Sequence, residues 1–322
     1  MRLLAPALVT AAVLLSACGT TETPASTAPT GSAGGPVTVT DARGKEVKLD
    51  SPAAKVVTLE WAETETVASL GVMPVGVADA AGYKTWDAAV PLADDVKDVG
   101  KRNEPSVDSI VALDPDLVIM AKGRDETLVG QLEKYVPVIV TQASDASRNL
   151  DRLREDTKLI ARAIGKSAEG DALLSDLDAA IADGRKAVEA KGATGTPFVM
   201  ADGWLEGSTV NIRPFGKGSL VSDAAEAIGL KNAWTGEVDP QWGLGATDVE
   251  GMTAVTDPKT MLFYSASEED VFTTGLAANP VWQRLPFVAN GKIVKLEPGT
   301  WTFGGPKSVV GVVEQFVKAA TA

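Results

Sequence analysis

The chain has 322 residues, with 30 Lys and Arg against 43 Asp and Glu, for a formal net charge of −13. It contains no histidine and a single cysteine, Cys18; this excludes Ser-His-Asp and Cys-His hydrolases, imidazole-built zinc sites, haem on an axial histidine and any internal disulfide. The acidity argues against a nucleic-acid partner, and a directly bound metal would rest on carboxylates, which suit Mg, Ca or Mn.

The amino-terminal stretch MRLLAPALVTAAVLLSAC has a charged Arg2, an apolar run from Leu3 to Leu15 and small residues before Cys18. That run is too short to span a bilayer and has the form of an export signal over residues 1–17. LSAC resembles the bacterial lipobox, in which the cysteine after the cleavage site carries lipid, so Cys18 is the expected membrane anchor. Residues 18–36 are rich in Thr, Ser, Pro and Gly without apolar periodicity and read as a flexible tether.

From Val37 onward, short β-branched runs alternate with amphipathic stretches. KVVTLE (55–60), PVGVAD (74–79), VKDVG (96–100), DPDLVIMA (114–121) and PVIVTQ (137–142) read as strands. ETETVASLG, SVDSIVAL and LVGQLEKY read as helices between them. Such alternation predicts parallel βαβ units and an amino-terminal α/β lobe over 37–145. Residues 146–192 read as a helical linker, with a helical pattern from Arg148 to about Ala190 interrupted at Gly165, and the second helix, from Ala168 to Lys191, would run about 35 Å, long enough to bridge two lobes. The alternation resumes over 193–322 with PFVMAD, VNIRPFG, TMLFYSA and KIVKLE as strands, SLVSDAAEAIGL and PKSVVGVVEQFVKAA as helices. The expected fold class is therefore α/β, two lobes joined by a long rigid helix with a ligand cleft between them.

Ligands of open α/β sheets collect beyond the carboxyl ends of the strands. Arg102 follows VKDVG, Arg124 follows DLVIMAKG, and Arg213 sits in VNIRPFG. A guanidinium is always charged and donates in a planar fork, which suits oxygen pairs of chelates, carboxylates or phosphates. Trp86, Trp204, Trp242 and Trp301 lie in Gly-, Pro- or polar-rich segments expected to be loops, where several tryptophans can wall a pocket for a bulky ligand. No nucleotide-binding glycine motif and no catalytic motif is present, so neither an enzyme nor a cofactor is expected.

Five segments, KVVTLEWAETETVASLGVMPVGVADAAGYKTW, DVGKRNEPSVDSIVALDPDLVI, GLKNAW, NPVWQRLPFV and WTFGG, occur in this order. Together they resemble the siderophore-binding proteins of iron ABC importers, most closely the hydroxamate (ferrichrome and ferrioxamine) receptors, over about Val37 to Val317. The resemblance implies the class III periplasmic-binding-protein fold and an intact ferric siderophore as ligand, with iron wrapped by the siderophore's own oxygens and no metal site on the protein. It places Arg102 on the hydroxamate oxygens, and Arg124 where the best-known member has a tyrosine. Trp86, Trp242, Trp301, Met120 and Phe303 fall at pocket positions, Trp242 after a one-residue loop shift. It also implies docking on an ABC permease through one acid per lobe, Glu65 and Asp223, with Glu226 as the alternative to Asp223. The expected molecule is a monomeric lipoprotein held outside the membrane. Cobalamin, haem or a catecholate siderophore is the alternative ligand, and a carboxylate-based surface hydrolase the alternative class.

Overall fold

The computed structural model describes residues 34–124 and 126–322. The expected signal segment, Cys18 and nearly all of the tether lie outside the described residues. No helix among the described residues is long and apolar enough to cross a membrane.

Residues 37–145 build a five-stranded sheet in the order Lys97–Asp98, Gly76–Val77, Val56–Thr58, Leu117–Ala121, Val138–Thr141, with every neighbouring pair parallel. Its central strands are buried on both faces, which explains why they read as continuous apolar runs rather than as alternation. A hairpin, Val37–Thr40 with Glu46–Leu49, packs against this core through Val39, Val47 and Leu49; its short, half-polar strands did not announce themselves in the sequence.

The second lobe carries the order Thr209–Phe215, Pro197–Glu206, Met261–Tyr264, Ile293–Lys295, and Lys231–Asn232 pairs with the start of the long strand. The Pro197–Glu206 and Thr209–Phe215 strands are an antiparallel hairpin; the other pairs are parallel. Trp204 and Arg213 therefore lie within strands, not in a loop and at a strand end as expected. On one face of this sheet Phe198, Phe263 and the terminal-helix residue Phe316 interlock, the last two stacked 3.8 Å apart.

The link between the lobes is a pair of helices, Asn149–Ala163 and Ser167–Ala190. They turn at Gly165, whose φ of +69° suits a residue without Cβ. Both helices bridge. Leu153 belongs to the core of the second lobe and Ile160 to that of the first; on the longer helix Leu173 joins the first core, Leu177 and Val188 the second. Bending the lobes apart would pull apolar side chains out of both cores at once, so packing makes the link stiff.

Candidate ligand-binding cleft

A cleft of about 400 Å³ opens between the lobes, within the range of small-molecule sites. Glu60, Arg102, Lys122, Arg124, Arg213, Trp242, Trp301 and Phe303 are among its lining residues.

Arg102 stands at the tip of a two-residue hairpin in which Gly100 pairs with Pro105 and Lys101 with Glu104. Gly100 adopts φ +105°, and a Cβ there would sit 3.1 Å from the Glu104 carbonyl oxygen, so the turn needs glycine. Lys101 is exposed and does not line the cleft. The Arg102 guanidinium lies 3.8 Å from the centroid of the Trp61 ring, a close cation–π contact. The Trp61 indole N–H donates to the carbonyls of Ala78 and Asp79, which fixes the plane on which the arginine rests.

Trp301 meets Trp61 edge-on at 4.8 Å and Phe303 at 5.2 Å, and Phe303 in turn meets Trp242 at 5.8 Å. The result is an aromatic wall running from one lobe to the other. Trp242 is held in its turn because the Asp239 carboxylate accepts hydrogen bonds from the backbone of Gln241, Trp242 and Leu244. Arg213 lies 5.2 Å from the Phe303 ring and is neutralised by a close ion pair with Asp202 across the hairpin.

The cleft's central carboxylate was not foreseen. Glu60 is 8 % exposed and ion-pairs with both amino-lobe arginines: Arg102 Nη1 donates to Oε2 at 3.1 Å, and Arg124 Nε lies 2.5 Å from Oε1, out of line for a hydrogen bond. A second acid, Glu63, lines the floor. Burial pushes its carboxyl up to about 7, partly opposed by a short hydrogen bond from the Thr141 hydroxyl. Behind it Arg152 and Asp156 form a buried pair, and Asp156 also accepts the backbone N–H groups of Gln142 and Ala143.

Of the residues singled out in the sequence, Arg102, Arg124, Arg213, Trp242, Trp301 and Phe303 come together here. Three do not take the expected role. Met120 is 2 % exposed and packs with Val57, Ile110 and Leu132 in the amino-lobe core; its neighbour Ala121 lines the cleft instead. Trp86 ends a short helix and stands behind the wall, 6.2 Å from Trp301. Glu65 is fully buried, its carboxylate accepting the backbone N–H groups of Gly305, Lys307 and Ser308 at 2.7, 2.9 and 3.0 Å. It holds the start of the terminal helix across the lobe boundary and is closed to any partner protein. Asp223 is half-buried and accepts the Asn149 N–H at the start of the linker, whereas Glu226 beside it is exposed. Sequence reasoning missed Glu60, Glu63 and Trp61; the EW dipeptide directly after the KVVTL run, at a strand's carboxyl end, was the available signal for the first and third.

Two α/β lobes on a stiff helical link, with a cleft between them, are the architecture of a solute-binding protein. The family model for periplasmic binding proteins matches residues 56–300, and the chain belongs to that family. It is 27 % identical over 264 residues to the iron(3+)-hydroxamate-binding protein FhuD of Escherichia coli, covering 80 % of this chain and 84 % of that one. It is 26 % identical over 278 residues to the Fe(3+)-citrate-binding protein YfmC of Bacillus subtilis, covering 83 % and 81 %. Among solved structures, the siderophore-binding protein FhuD of Vibrio cholerae with bound Fe3+-Desferal superposes with a TM-score of 0.73 at 23 % identity. That match covers 84 % of this chain and 98 % of the other, a likeness of fold.

Proposed function

We propose that this protein captures intact ferric siderophores of the hydroxamate type outside the membrane and delivers them to an ABC importer, anchored by lipid on Cys18. The observation that carries the reading is the Arg102–Arg124 pair beside an aromatic wall, in a chain without histidine. Guanidinium forks suit the oxygens of a chelate whose iron is already satisfied, and flat rings suit its apolar backbone. The names of two relatives, the hydroxamate binder of E. coli and the Desferal complex from V. cholerae, support the same ligand class. A second reading, a carboxylate chelate such as ferric citrate, draws on the four cations lining the cleft and on the name of the B. subtilis relative.

Delivery requires an acid-bearing face for the permease. Glu65 is withdrawn from that role, and the carboxyl-lobe contact is assigned to Asp223 with the exposed Glu226. Charge reversal at both is expected to block uptake without changing solution affinity.

Tryptophan fluorescence tests the ligand, because Trp242 and Trp301 line the cleft and Trp61 packs directly against Arg102 and Trp301. Ferrioxamine or ferrichrome is expected to quench it, with no response to cobalamin or haem. A response to cobalamin or haem and none to either hydroxamate overturns the reading.

A further inference from the structure

Glu60 occupies the N-cap position of the Trp61–Ser69 helix, with extended backbone dihedrals of −137° and 153°. A carboxylate near a helix start is favoured by the positive end of the peptide dipoles, and a side-chain oxygen at the cap can accept a backbone N–H of the first turn. The Glu60 side chain makes no such bond. It turns into the cleft and spends its charge on Arg102 and Arg124. The backbone beneath it is fixed: the Glu60 carbonyl oxygen accepts both the N–H and the hydroxyl of Thr64, at 3.0 and 2.8 Å, and that hydroxyl is tied to Thr58 in the strand behind.

Arg213 is already paired with Asp202, whereas the Lys122 ammonium meets the amide oxygen of Gln142 and keeps its charge. Glu60 is therefore the carboxylate that faces the two amino-lobe arginines, with Glu63 on the floor beside it. A ligand that approached as a trianion would meet Glu60 within ion-pair distance of the guanidinium groups it needed. A neutral chelate accepts N–H bonds from the same arginines without that conflict. Iron(III) with three hydroxamates is neutral, and iron(III) with three catecholates carries three negative charges.

Resting on the proposed function, we infer that Glu60 is the specificity-determining counter-ion of the cleft: by sharing one carboxylate between Arg102 and Arg124, it admits neutral or cationic ferric trihydroxamates and rejects anionic ferric chelates. It also holds the two forks in place before the ligand arrives, so less side-chain freedom is lost on binding.

The experiment is a set of fluorescence titrations of the wild-type protein, Glu60→Gln and Glu60→Asp with ferrichrome, ferrioxamine B and a ferric tris-catecholate. The readout is the ratio of the tris-catecholate to the ferrichrome dissociation constant within each protein, so any unfolded fraction cancels. Wild type is expected to favour ferrichrome by about tenfold or more, the scale of one unscreened charge in a partly buried site. Glu60→Gln is expected to shrink that ratio by a similar factor, and Glu60→Asp, which keeps the charge, to retain most of it. An unchanged ratio in Glu60→Gln overturns the inference. If that variant does not fold, Glu60→Ala is titrated in its place and an unchanged ratio overturns the inference; equal or tighter binding of the tris-catecholate by the wild type also sinks it. Should no ferric chelate of any charge bind the wild type, the proposed function itself falls.

Discussion

The lobes meet at two places that handle charge in opposite ways. In the cleft two arginines share one carboxylate, Glu60, and all three groups line the cleft. At the boundary beside the terminal helix two carboxyls, Glu65 and Asp87, lie close together in the interior with no ion-paired cation among the described residues. Glu65 is compensated by three backbone N–H groups at a helix start, where the peptide dipoles favour an anion. Side-chain partners can be exchanged for a ligand's atoms, whereas backbone partners cannot without unwinding the helix. The cleft is thus built to change partners and the boundary to keep them.

Removing the boundary carboxylate should produce the larger effect. Glu65→Ala leaves three helix-start N–H groups without their acceptor and is expected to cost about 2–3 kcal/mol of stability, read as a lowered urea midpoint. A midpoint unchanged from wild type would mean that the two lobes hold the helix without this bond. In the cleft, Arg102→Ala should weaken ferric hydroxamate binding by about tenfold to a hundredfold, the range for a hydrogen bond from a charged donor. The urea midpoint should move little, since this guanidinium is partly open to solvent and its ion pair is correspondingly weak. Equal affinity in the variant would remove Arg102 from the site, and a large loss of stability would erase the contrast between the two regions.

The same contrast explains what the sequence disclosed. Strands such as Leu117–Ala121 were legible as apolar runs, and the arginines after them as unusual charges at strand ends. The run itself did not say which residue faced the cleft, because helices cover both faces and period-two alternation is lost. Met120 is a pocket residue only by the family resemblance, and nothing in the run points to Ala121 instead. Glu65 misled for another reason: ETET at the start of a helix reads as a solvated face, and its partners lie some 240 residues downstream. No local pattern carries that information. Glu60 was hidden by its own position, since an acid beside a helix start has an ordinary explanation in capping that the folded chain does not use.

The smallest expected effect concerns protons at the boundary. Burial, and then the neighbouring Glu65, raise the Asp87 carboxyl far above the usual aspartate range, and its Oδ2 is buried without a hydrogen-bond partner. A group with a raised folded-state pKa binds more protons folded than unfolded. Its contribution to stability is therefore complete at low pH, below the ordinary aspartate value, and is lost as pH rises from there toward the folded-state value. Glu63 adds a slope of the same sign between its ordinary 4.5 and about 7. Urea midpoints should fall from pH 5 to pH 8, and Asp87→Asn, an uncharged mimic of the protonated acid, should flatten the part of that fall above pH 7 by about 1 kcal/mol. Unlike the cleft, where Glu60 is matched by two arginines, this boundary works best with one of its two carboxyls holding a proton. An Asp87→Asn slope identical to wild type above pH 7 would show that the pair shares no proton and that the two regions differ only in exposure.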